Sequence, residues 1–155
     1  MRERIGRARA QPREAGFTLV ELLIVIMIIG ILAAIAIVAL QNALDKAKQR
    51  GTMADMRTVS MALETYRTDM EGYPVNGLTM AQLAVILVPY ETSALRTTDH
   101  WHHDYQYTYD GVDRYSVESF GKDGVDGPEI SYATRFEFDR DLIISNGLFV
   151  ASPEN

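Results

Sequence analysis

Two hydrophobic patterns follow one another between residues 17 and 70. Residues 22–40 form nineteen consecutive positions without a charge, Pro, Asn or Gln. At about 1.5 Å per residue, a helix of this length spans roughly 28 Å, close to a bilayer's hydrocarbon core. The apolar region of a secretory signal peptide is shorter, about 7–15 residues, and ends at a small-residue cleavage site. Here the helical pattern continues instead. Met53, Met56, Val59, Leu63, Tyr66 and Met70 recur at intervals of three or four and define one apolar stripe, with Asp55, Arg57, Glu64, Arg67 and Asp69 mostly off it. Gly72 and Pro74 end the pattern. The prediction is one helix over residues 17–70, membrane-spanning over 22–40 and amphipathic over 41–70.

The pattern then shortens. Thr79-Met80-Ala81-Gln82 fits a capping box, opening a short helix through Val88 that Pro89 terminates. Tyr105-Gln106-Tyr107-Thr108-Tyr109 alternates as a half-buried strand does, and Tyr115 to Phe120 follows Asp110-Gly111 as its hairpin partner. Two further strands flank Asn146-Gly147, a strong hairpin signal. These elements predict an α+β fold in which residues 71–155 form a small antiparallel head on the amphipathic half of the long helix.

Charge adds a direction. Residues 1–16 hold five arginines against two glutamates, a charge of +3; subtracting this from the whole-chain −6 leaves −9 for the rest. An acidic body excludes nucleic acid as the expected partner, because phosphate backbones demand Lys/Arg clusters. A basic segment before an apolar span favours a cytoplasmic N-terminus and a head on the far side, although Lys46, Lys48 and Arg50 after the span weaken that inference. With no cysteine, a disulfide framework and a thiolate site are both excluded.

Glu21 borders the apolar run. A carboxylate inside a bilayer costs on the order of 3 kcal/mol and normally has a partner; periodicity alone fits an interfacial Glu equally well. The stretch Ala15-Gly16-Phe17-Thr18-Leu19-Val20-Glu21-Leu22-Leu23-Ile24-Val25-Ile26 resembles the processing signature of type IV pilins and type II secretion pseudopilins, in its basic leader, its Gly-Phe junction, its Glu four residues after Phe17 and its long apolar run. The resemblance implies a pilin-like fold. It implies that a prepilin peptidase cuts between Gly16 and Phe17 and methylates the Phe17 amine, and that Glu21 faces the Phe17 amine of the next subunit. Many relatives carry a Pro near Val38; here the segment reads Ile37-Val38-Ala39-Leu40, which puts local melting of the helix in doubt.

Phe120-Gly121-Lys122-Asp123-Gly124-Val125-Asp126-Gly127 is a glycine-rich acidic loop, by itself a solvated turn, with oxygens of the kind Ca²⁺ takes but without EF-hand spacing. Ser119 to Gly124 is similar to the Ser-x-Gly-x-Asp-Gly loop of major pseudopilins, which implies calcium held by Asp123 and Asp126 and completed by Asp139 or Asp141. Beyond it the match loosens, to Gly127-Pro128-Glu129 and Asp139-Arg140-Asp141-Leu142. His100, His102, His103 and Asp104 lack the helical spacing of a zinc site and read as surface-loop residues. Ser116 and Ser119 lie in no nucleophile-elbow motif, so catalysis is not expected.

The reading is a structural subunit, most similar to the major pseudopilin of type II secretion. The resemblance implies that it waits in the inner membrane with its head periplasmic, then polymerises with copies of itself and with minor pseudopilins on an ATP-driven inner-membrane assembly platform. A subunit of a surface type IV pilus, used for adhesion, motility or DNA uptake, is the alternative within the class. A membrane-anchored periplasmic binding module or enzyme is the alternative outside it.

Overall fold

The computed structural model describes residues 16–90, 94–127 and 137–152. Contacts divide the chain into two compact units, one ending at Leu40 and one spanning Gln41–Asn155.

A single helix, α1 (Leu19–Met70), runs without interruption through Gly30, the Ile37–Leu40 stretch and Gly51. It starts in a capping box. The Thr18 hydroxyl accepts the Glu21 amide at 3.2 Å, while Glu21 Oε2 accepts the Thr18 amide at 2.9 Å and the Thr18 hydroxyl at 2.8 Å. Two amides that lack a partner within the helix are thereby satisfied reciprocally. The helix ends at Met70, and the left-handed residue after it is Glu71 (φ 58°), one position before the expected stop at Gly72. In the first unit every residue from 22 to 40 is exposed. This is the one helix among the described residues that is long and apolar enough to cross a membrane.

The second unit is built on residues 45–66 of α1. Its buried positions Asp45, Gln49, Thr52, Met53, Met56, Val59, Ser60, Ala62 and Leu63 repeat at three and four, which places them on one face. Met70, expected on this stripe, is 58% exposed, because α1 has passed the edge of the core there. Helix α2 (Met80–Leu87) has the predicted capping box from Thr79 and turns Met80, Leu83 and Leu87 inward. Pro89 does not stop the chain abruptly; it sits inside a 3₁₀ turn, Val88–Tyr90, whose tighter winding tolerates the missing amide.

Four antiparallel strands complete the unit in the order β1 (Gln106–Tyr109), β2 (Tyr115–Ser119), β3 (Leu142–Ser145) and β4 (Leu148–Ala151). Tyr107 pairs with Val117, and Val117 with Ile144, so the inward residues of three strands stack in one row. The β3–β4 turn is Asn146-Gly147, both with positive φ, as a two-residue hairpin demands. The β1–β2 connection is longer than a tight Asp-Gly turn. Asp110 Oδ1 accepts the amides of Val112, Asp113 and Arg114 and closes a loop over Asp110 to Arg114. Side chains from α1, α2 and the sheet meet in one core around Met56, Leu63, Leu83, Leu87, Tyr115 and Ile144. Each fully buried Leu or Ile contributes about 1.5–3 kcal/mol.

Candidate functional site

At the start of the described chain, Gly16, Phe17 and Thr18 lie outside the helix, and Phe17 is 82% exposed. The Gly16–Phe17 bond therefore precedes the first hydrogen-bonded turn, in backbone that α1 does not protect. The leader residues 1–15 lie outside the described residues. Glu21 sits on the first turn, and both donors from Thr18 go to its Oε2. The Thr18-x-x-Glu21 pattern was present in the sequence, but the apolar residues around it hid its role as a cap.

In the second unit, the acidic glycine loop is fastened by buried groups that the sequence did not reveal. Asp99 is fully buried. Its Oδ1 accepts the amides of Trp101 (2.8 Å) and His103 (2.9 Å), and its Oδ2 accepts the Ser119 hydroxyl at 2.9 Å. His103 Nδ1 lies 2.9 Å from the Gly121 carbonyl, so that nitrogen carries the proton. His100 reaches Asp55 at 3.1 Å and crosses α1 at Gly51, where a Cβ would come within 2.5 Å of the imidazole. Of the three histidines, only His102 stands on the surface as expected; His100 and His103 are half-buried fasteners.

The loop itself needs its glycines. Gly121 (φ +66°) faces the carbonyls of Phe138 and Arg140, which a Cβ would approach to 2.6 and 2.8 Å, and a Cβ on Gly124 would come within 2.7 Å of the His103 ring. The Lys122 amide donates to Phe138 O at 2.7 Å, and the Gly127 amide to Asp141 Oδ2 at 2.8 Å. Lys122 Nζ meets Asp45 Oδ2 at 2.8 Å, while Trp101 Nε1 donates to Asp45 Oδ1 at 3.3 Å. The Lys122 ammonium holds the Asp45 carboxyl below its ordinary value of 3.8, and Asp45 raises Lys122 in turn.

Of the four residues expected to bind calcium, the structure brings Asp141 and Asp139 beside the loop that carries Asp123 and Asp126. It does not converge their carboxylates. Asp123 and Asp126 are exposed, and Asp123 Oδ1 accepts the Val125 amide. Asp141 is turned inward onto Gly127. Among the described residues no three acidic or histidine side chains are grouped to hold a metal ion. Pro128 and Glu129 lie outside the described residues.

A long helix with a fully exposed apolar half, a second half covered by a small antiparallel sheet, and a capped acid four residues beyond an exposed Phe define the pilin-like class. Family comparison then makes the membership specific. The chain belongs to the family described as Type II secretion system (T2SS), protein G, whose model matches residues 39–134, and the Prokaryotic N-terminal methylation motif matches residues 11–37. The chain is similar to the Type II secretion system core protein G of Escherichia coli K12, with 31% identity covering 78% of this chain and 90% of that one. It is also similar to the protein of the same name from Vibrio cholerae (31% identity, 76% and 86% covered) and from Pseudomonas aeruginosa PAO1 (28%, 72% and 88%). No solved structure matches significantly. The chain is a structural pseudopilin subunit of type II secretion, not an enzyme; it is anchored in the membrane by its apolar helix and assembles into the secretion pseudopilus.

Proposed function

We propose that the subunit is stored in the inner membrane with its N-terminus cytoplasmic and its head periplasmic, and that assembly is gated by cutting the Gly16–Phe17 bond. A prepilin peptidase removes residues 1–16 and methylates the new Phe17 amine. An inner-membrane platform then draws the subunit into a periplasmic filament with further copies and minor pseudopilins.

The observation that supports this reading is the pairing of an exposed Phe17 with a Glu21 already held in place. Among the described residues Glu21 Oε1 accepts no hydrogen bond, whereas Oε2 takes both Thr18 donors. Oε1 is available to the ammonium of a neighbour's Phe17. That charge-assisted bond forms only in the polymer, so it favours the assembled state over the stored one. Apolar contacts among the exposed residues 22–40 of adjacent copies replace their lipid contacts at the same time.

Mass spectrometry of the mature N-terminus tests the processing step. Methylated Phe17 is the expected species, and an intact Met1 in filaments would overturn the reading. Glu21→Ala tests the pairing: polymer yield is expected to fall at unchanged processing, and normal yield would sink it.

A further inference from the structure

The tripeptide Asn-Gly-Leu occurs twice in the chain, at residues 76–78 and 146–148. Asn-Gly is the pair in which an asparagine side chain most readily reacts with its own backbone, because glycine has no Cβ to hinder its nitrogen. Both pairs are exposed, and a Cβ built on either glycine meets nothing within 4 Å. Exposure does not separate them; hydrogen bonding does. At Asn146 every reacting group is engaged. Oδ1 accepts the Tyr115 amide at 3.2 Å, Nδ2 donates to the Asp113 carbonyl at 3.2 Å, and the Gly147 amide donates to the Tyr115 hydroxyl at 3.1 Å. At Asn76 the side chain folds back on its own peptide. Its Oδ1 accepts the Gly77 amide at 2.9 Å, which brings that nitrogen beside the side-chain carbonyl. The Tyr109 amide donates to the same oxygen at 3.3 Å, and Nδ2 donates no hydrogen bond among the described residues.

We propose that Asn76 is a self-modification site, deamidated by attack of the Gly77 nitrogen with water as co-reactant, and that the fold protects Asn146 from the same reaction. The Gly77 nitrogen gives its proton to hydroxide and bonds to Asn76 Cγ. The Tyr109 amide stabilises the charge that grows on Oδ1 during the attack. The Cγ–Nδ2 bond then breaks, and Nδ2 leaves as ammonia with a proton from water. Water opens the resulting succinimide at either carbonyl, giving aspartate or its isoaspartyl isomer. The net reaction consumes one water, releases one ammonia and leaves a carboxylate in place of the amide. Its consequence falls on a join in the second unit. Asn76 ties an amide of the edge strand β1 and precedes the Thr79 cap of α2. Isoaspartyl opening adds a methylene to the main chain just before that cap.

The test incubates the detergent-solubilised full chain in mildly alkaline buffer, folded and in urea, and follows the amide-to-acid mass gain at each Asn-Gly-Leu by peptide mapping. In the folded chain residue 76 is expected to convert about tenfold faster than residue 146, whose three hydrogen bonds must open first. In urea the two rates are expected to converge. Similar rates in the folded chain, or faster conversion at 146, would overturn the proposal. A preference for 76 that persists unchanged in urea would also overturn it, since local sequence and not the fold would then decide. Asn76→Gln, whose larger ring closes far more slowly, is expected to abolish the fast phase of ammonia release. A fast phase that survives this substitution would place the reaction elsewhere and defeat the assignment.

Discussion

Asp45 shows how one residue can be misread by a local pattern. Among Lys46, Lys48 and Arg50 it looks like part of a solvated helix face, yet it is 8% exposed. Its partners Trp101 and Lys122 lie 56 and 77 residues further along the chain, so nothing in its neighbourhood announces them. Because the folded state holds its carboxyl below 3.8, Asp45 contributes stability that is fully present above that value and is lost as pH falls through the lower folded value. Denaturant titrations of the detergent-solubilised chain are expected to lose stability below about pH 4, and Asp45→Asn is expected to flatten that slope. Tyr115 makes a similar case with an uncharged group. Its hydroxyl meets the buried Ser60 Oγ at 2.6 Å and accepts the amide of Gly147, at the exposed β3–β4 turn, at 3.1 Å. Tyr115→Phe takes this partner from the buried Ser60 hydroxyl, and a loss of about 1–3 kcal/mol in urea unfolding is expected.

The elements were more legible than their fastenings. An unbroken run at residues 22–40, the Asn146-Gly147 turn and the Thr79-x-x-Gln82 cap each carry their own local physics, and all three appear where the sequence puts them. Thr79→Ala removes a side-chain acceptor from the start of α2, and about 1 kcal/mol of stability is expected to go with it in thermal or urea unfolding. The acidic glycine loop was legible only as a turn. Its attachment depends on a carboxylate at Asp99, a carbonyl at Phe138 and an imidazole at His103, residues drawn together from separate segments by the sheet. Pattern and spacing carry no record of such convergence, which is also why the expected gathering of Asp123 and Asp126 with Asp141 was not decided by their order in the chain.

At the scale of the whole molecule, the second unit carries a tyrosine-rich core, and residues 22–40 of the first have no protein cover. Burial pushes Tyr105 and Tyr107 well above the usual phenol range, and Tyr115 up to about 12. These raised values contribute stability that is complete below the ordinary value of 10 and is lost as pH rises through the folded ones. Circular dichroism melts are expected to show a falling midpoint above pH 10, while the apolar helix, which carries no titrating group from 22 to 40, keeps its signal.

The threonine that caps the long helix has a kinetic as well as an energetic consequence. On the proposed pairing, the two Thr18 bonds that already hold the Glu21 carboxylate spare part of the side-chain ordering that a freely rotating glutamate would meet on docking. Thr18→Val, which keeps Glu21 and its charge, should therefore slow filament growth in a timed assembly assay, because each incoming copy would have to find an aim that the native chain already holds.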